Sequence, residues 1–202
     1  MTYLAKANLA LSVTLTAIST FLAPFVTPMF MRLLGGQYIE VDVLKMLLDI
    51  VYITIIPIIA GLIFNHFLHG KFKVLDKIMP LLSMGGIMLI IVVITATGRD
   101  NLLTVGPLLL VAVLMHNLSG YFLGYWSSRL LLRMPEIDCR TIAIEVGLQN
   151  AGLASGLANT MGKIASVGLA AAVFGPVMNI TGSTLALWWR SKPLKDDQTS
   201  NL

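Results

Sequence analysis

The sequence predicts an all-α polytopic membrane protein with about six transmembrane helices, one of them broken. Three observations carry this. Of 202 residues, 56% are hydrophobic and 12% charged, about half the charge that a wetted surface normally carries, so the bilayer is the natural solvent. Six apolar segments are long enough to cross roughly 30 Å of hydrocarbon at about 20 residues each. Short turn and interface stretches separate them, leaving no room for a soluble domain between spans.

The segments fall at about 8–34, 43–68, 75–97, 102–131, 137–161 and 165–189, together a transmembrane domain over 1–189. In the first, Ser12, Thr16 and Ser19 recur at i, i+4 and i+7, placing three hydroxyls on one helical stripe. Such hydroxyls serve either a site or their own helix backbone. Pro24 and Pro28 predict a kink in the same span. The second span opens near Asp42, Lys45 and Asp49, read as interfacial. The fourth carries His116-Asn117 at mid-depth and then Gly120 and Gly124, a close-packing signal between helices in lipid. His116 is read as a proton relay or an interhelical hydrogen-bonding residue. The last span combines Gly175-Pro176 with a polar run, Asn179-Ile-Thr-Gly-Ser183. Beyond it, 190–202 reads as a polar cytoplasmic tail.

Charge supports this count. The net charge is +4 and the pI about 9.3, which in a soluble protein would suggest nucleic acid. Here the basic residues sit in short loops, so orientation explains them and no nucleic-acid partner is expected. Lys6, Lys71, Lys73, Lys77, Arg129, Arg133, Arg140, Arg190, Lys192 and Lys195 fall on one side; Arg32, Lys45, Arg99 and Lys163 fall on the other. Both termini therefore belong in the cytoplasm. Cys139, the single cysteine, excludes an internal disulfide and reads as a small buried residue. No cleavable signal peptide is evident, because the first apolar run is too long.

The fifth span holds the decisive residue. Glu145 is the only charge from Thr141 to Gly162, flanked by Gln149, Asn150 and glycines at 147, 152 and 156. Counted from Pro135 at 1.5 Å per residue, it lies about 15 Å into the bilayer. A carboxylate there costs several kcal/mol unless a cation, a proton or hydrogen bonds compensate it. Glycines let backbone carbonyls turn toward the same place. Hard oxygen donors without thiols or a histidine cluster suit an alkali cation, and broken helices offering them at mid-membrane are a common ion-site design in secondary transporters.

Glu145-Val-Gly-Leu-Gln-Asn-Ala-Gly-Leu153 resembles the Glu-x-Gly-x-Gln-Asn-x-Gly-Leu signature of the bile acid:sodium symporter family. Leu9-Ala-Leu-Ser-Val-Thr-Leu-Thr-Ala-Ile-Ser-Thr-Phe-Leu-Ala-Pro24 is similar to that family's fifth helix. Leu114–Gly124 and Asn179–Ser183 are similar to its eighth and tenth. The resemblance implies a ten-helix fold of two inverted five-helix repeats, whose fourth and ninth helices are broken and cross at two sodium ions. It makes the present six spans the second repeat plus one helix. It further implies that Ser12 and Thr16 ligate one sodium and that Glu145 is shared by both. Val146 and Leu148 would offer backbone carbonyls to the second ion and Gln149 a side-chain oxygen, while Asn150 and Asn179 would lie near the substrate cavity. Met178 stands where some relatives have histidine, which leaves the substrate class open.

The expected function is thus sodium-coupled symport of an organic anion, bile-acid-like or another small carboxylate, with Na+ as coupling ion and no organic cofactor. The expected location is a bacterial inner membrane, with lipid as solvent. Proton coupling through Glu145 and a non-transporting membrane fragment are the alternatives. An enzyme is not expected: Gly152-Leu-Ala-Ser-Gly156 only loosely resembles a nucleophile turn, and no HExxH occurs. The family's first three helices have no counterpart in the sequence, so a missing N-terminal half is an expected partner and the chain alone is expected to transport poorly.

Overall fold

Long apolar stretches find no hydrogen-bond partners in lipid, so their backbone groups must be satisfied within the segment, and helix does this locally. The computed structural model describes residues 1–36, 40–68 and 73–192, and among the described residues there is helix and no strand. Turn residues Gln37, His69, Gly70 and Lys71, and the expected tail from 193 on, lie outside the described residues.

Eight α-helices follow in order: α1 (Leu9–Phe30), α2 (Val43–Ile50), α3 (Ile56–Leu68), α4 (Lys73–Thr97), α5 (Arg99–Trp126), α6 (Glu136–Gly147), α7 (Ala151–Thr160) and α8 (Val167–Arg190). Three π-helical turns, Met31–Gly35, Val51–Ile55 and Ser127–Leu131, extend α1, join α2 to α3 and extend α5. The prolines expected to kink the first span do not end it. Helix α1 runs through Pro24 and Pro28, both fully buried, and widens into its π turn three residues later.

Among the described residues, five helical stretches are long and apolar enough to cross a membrane: Leu9–Gly35, Val43–Phe67, Ile78–Thr97, Arg99–Leu131 and Val167–Arg190. Helices α6 and α7, of 12 and 10 residues, reach only about 18 and 15 Å at 1.5 Å per residue. They share the fifth apolar segment, which breaks at Leu148–Asn150. The chain is an all-α polytopic membrane protein.

The helices belong to two units. The first comprises residues 1–18, 105–150 and 173 onward; the second comprises 19–104 and 151–172. In the first, Ala5, Ala143, Ile144, Ala186 and Trp189 form the apolar centre, with Tyr125, Leu148 and Leu185 against it. Arg140 is buried beside it. Its Nε pairs with Glu136 Oε1 at 3.0 Å, Nη1 donates to the carbonyls of Trp189 and Lys192, and the guanidinium lies 5.9 Å from the Trp189 ring centroid. The end of α8 is thereby tied to the first turn of α6.

In the second unit, Met46, Ile50 and Leu157 form the centre, with Ala23, Met31, Leu153 and Met161 packed around them. Small residues permit the close approaches. Gly156 faces the Ile53 side chain, and a Cβ on Gly98 would stand 2.8 Å from the Ala165 carbonyl. A cavity of about 450 Å³ in this unit is lined by Glu40, Asp42, Lys45, Asp49, Thr160 and Lys163. Asp42 caps α2 by accepting the Lys45 amide.

Candidate cation site around Glu145

The site lies wholly in the first unit and begins with how α1 is seated on α6. Pro135 starts α6, and Glu136 and Asp138 in its first turn complement the positive end of the helix dipole. Asn8 precedes α1 and performs three tasks. Its Oδ1 accepts the Leu11 amide, its Nδ2 donates to Asp138 Oδ1 at 2.8 Å, and its own amide donates to Thr141 Oγ1 at 2.9 Å. Those contacts set a register. Positions 8, 12 and 16 form one stripe of α1, and 138, 141 and 145 form one stripe of α6. With Asn8 fixed to 138 and 141, Ser12 and Thr16 must meet Glu145.

They do. Ser12 Oγ donates to Glu145 Oε1 at 2.5 Å, and Thr16 Oγ1 donates to Glu145 Oε2 at 2.7 Å. Thr2 Oγ1 lies 3.1 Å from Ser12 Oγ; because the Ser12 proton goes to the carboxylate, Thr2 supplies the proton of that second bond. Three hydroxyls and a half-buried carboxylate thus converge, with Ser12 and Thr2 buried. A hydroxyl rotates about its C–O bond, so the oxygens that now give protons to Glu145 can present lone pairs to a cation instead. The donors are all hard oxygens, which fits an alkali cation. Among the described residues no cluster of three or more His, Cys, Asp or Glu side chains could hold a metal.

The break has its own supports. Leu148 takes an extended conformation (φ −85°, ψ 111°) and its amide closes the last α6 turn onto Ile144. Carbonyls beyond that turn need partners from elsewhere. Asn117 of α5, fully buried, gives one: its Nδ2 donates to Gly147 O at 2.9 Å, while its Oδ1 accepts Thr181 Oγ1 of α8 at 2.5 Å. Tyr121 packs its ring on Gly147 and holds its hydroxyl 3.3 Å from Thr181 Oγ1. The glycine pair expected to pack closely does so against backbone. A Cβ on Gly120 would stand 3.1 Å from Val146 O, and one on Gly124 would stand 2.9 Å from Ile142 O. Position 147 must be glycine for the same reason: a Cβ there would lie 2.1 Å from the Tyr121 ring.

Of the residues singled out from sequence, Ser12, Thr16 and Glu145 meet directly. Val146 and Leu148 flank the end of α6, with the Val146 carbonyl facing Gly120. Gln149 Nε2 lies 2.7 Å from His116 Nε2. Asn150 stands just before α7, where an asparagine suits the start of a helix. Asn179 donates to Gly175 O of its own helix at 2.8 Å. Sequence reading missed Thr2, Asn8, Tyr121 and Thr181, and saw Asn117 only as the neighbour of His116.

Comparison with known proteins agrees with this architecture. Residues 1–105 match the model of the Sodium Bile acid symporter family. The chain is 39% identical over 201 residues to the uncharacterized sodium-dependent transporter YocS of Bacillus subtilis, an alignment covering 100% of this chain and 62% of that protein. It is 33% identical over 196 residues to the "probable sodium/metabolite cotransporter BASS1, chloroplastic" of Oryza sativa, covering 97% of this chain and 48% of the relative. The chain thus spans about half to three-fifths of the length of these relatives. With more than half of its residues inside the family match, the chain belongs to the sodium bile acid symporter family.

Proposed function

We propose that the chain serves sodium-coupled symport of an organic anion, and that Glu145, Ser12 and Thr16 hold one coupling ion. The observation that carries this is the pair of hydroxyls from α1 on the two oxygens of one carboxylate. A buried structural hydrogen bond would be served as well by a glutamine, at far lower cost in a membrane. The names of the relatives, sodium-dependent transporter and sodium/metabolite cotransporter, support the same reading. In it, Val146 and Leu148 carbonyls and the Gln149 amide oxygen serve a second sodium, and Asn150 and Asn179 line the substrate path. Neither role needs an enzyme's machinery. The Lys and Arg distribution supports a reading with both termini in the cytoplasm, in what we take to be a bacterial inner membrane.

The test is sodium-dependent stabilisation of the purified chain. Thermal unfolding in detergent should shift upward with NaCl but not with choline chloride, and Glu145→Gln should abolish the shift. An equal response of the variant would remove Glu145 from the site. In reconstituted uptake, transport indifferent to sodium but abolished by a protonophore would favour proton coupling instead. A metabolite screen by thermal shift, with and without sodium, addresses which organic anion is carried. Cysteines placed at 36, 100 and 163 should react from outside; labelling only from the cytoplasm would reverse the topology.

A further inference from the structure

We propose that His116 is a positioning residue that fixes the orientation of the Gln149 side-chain amide, so that its carbonyl oxygen is the end offered to the cation. The inference rests on the reading of Gln149 as a cation ligand. Its basis is a contact between two nitrogens, His116 Nε2 and Gln149 Nε2, 2.7 Å apart. An amide nitrogen cannot accept a hydrogen bond, whereas a neutral imidazole has one accepting and one donating nitrogen. The proton must therefore come from Gln149, and His116 must accept at Nε2 while carrying its own proton on Nδ1.

The two ends of a glutamine amide have nearly the same shape and opposite chemistry. With its NH2 committed to His116, Oε1 is the remaining end. Were the amide reversed, two N–H donors would face the site, and no cation is held by donors. Selecting between these two states is thus equivalent to making or deleting a ligand without moving the backbone. The histidine is itself braced. Its ring lies edge-on to Phe174 of α8, with centroids 5.6 Å apart, and its neighbour Asn117 grips Gly147 O on the other side of Leu148. Two adjacent residues of α5 therefore hold the break from both sides, one through its backbone and one through its side chain.

Three substitutions separate this from a merely structural role. Glutamine places an accepting oxygen at about the reach of Nε2, so His116→Gln should keep the sodium affinity of the unaltered protein. His116→Leu offers no acceptor and should weaken sodium binding about threefold. His116→Arg offers donors alone, forces the reversed amide and should weaken it about tenfold. Affinity is read by sodium titration of thermal unfolding of the purified full chain. The orientation is read independently by 15N NMR on histidine- and glutamine-labelled protein, whose three histidines (66, 69, 116) and three glutamines (37, 149, 198) give few signals. The expected spectrum shows unprotonated Nε2 on His116 and a Gln149 amide signal that moves in His116→Leu. A protonated Nε2, or wild-type sodium affinity in His116→Arg, would overturn the proposal. If the unaltered chain shows no sodium response at all, the cation reading fails by itself, and the tautomer still decides which end of the amide His116 holds.

Discussion

The two units associate their helices by different chemistry. In the first, side chains on α1, α5, α6 and α8 are joined by hydrogen bonds between elements: Asn8 to Asp138 and Thr141, Ser12 and Thr16 to Glu145, Asn117 to Gly147 and Thr181. In the second, apolar contact and small residues dominate the centre, with Asn101 donating to the Ala165 carbonyl. Hydrocarbon gives helices little hydrophobic reason to associate, so packing and polar contacts decide. Packing tolerates small slips of one helix along another. A hydrogen bond between named atoms does not, and a site built from three helices needs its register fixed to within about an ångström. The unit with the site is the one that carries the register.

The largest effect should come from the carboxylate. Glu145→Ala removes the shared acceptor of Ser12 and Thr16, and sodium-dependent stabilisation should vanish, a loss of at least about 100-fold in apparent affinity. Next come the glycines, where the two units should diverge. Gly147→Ala drives a methyl into the Tyr121 ring, itself packed beneath α6, and should cost about 3 kcal/mol in detergent unfolding. Gly156→Ala in the second unit meets Ile53 Cγ2 at 3.1 Å and Cδ1 at 3.3 Å, an overlap of a few tenths of an ångström with side-chain methyls, so the cost should be smaller, about 1 kcal/mol. Equal losses would show that the units do not differ as described.

A third pair sharpens the polar contrast. Asn117→Ala strands the Gly147 carbonyl, while the Thr181 hydroxyl keeps the Val177 carbonyl, and should cost about 2 kcal/mol. Asn101→Ala gives up one exposed bond and should cost about 0.5 kcal/mol. The smallest expected effect is Thr2→Val, which removes one bond to Ser12 while Ser12 still reaches Glu145. It should lower sodium affinity about threefold and leave unfolding nearly unchanged.

The carboxylate, its two hydroxyl partners and the break were legible in the sequence for definite reasons. A lone acid in an apolar run is visible by composition, hydroxyls at i and i+4 are visible by period, and glycines beside Gln149 and Asn150 mark where a helix can end. Their supports were not. Asn8 and Thr2 precede any periodic segment, and Asn117 and Thr181 lie 64 residues apart and recognise each other only once α5 and α8 are folded. A hydrogen bond across helices leaves no spacing to read. The π-helical turns were equally silent, because a wider turn changes the hydrogen-bond register without demanding a particular residue. Pro24 and Pro28 lie inside the continuous helix α1: a proline removes one donor, and the helix passes through both.

Helix α6 carries acids at both ends, and the two ends are electrically unlike. Glu136 and Asp138 lie where unpaired amides make the helix terminus positive, so the dipole welcomes them. Glu145 lies in the last turn, where the carbonyl ends of the peptide dipoles make the terminus negative, so the same dipole opposes it. Had the segment continued as one long helix, that opposition would be weaker, since the negative end of the dipole would lie further along the chain. Ending the helix at Gly147 therefore concentrates negative potential around the carboxylate over the span of a single turn. A cation arriving there is attracted by the side chain and by the backbone together.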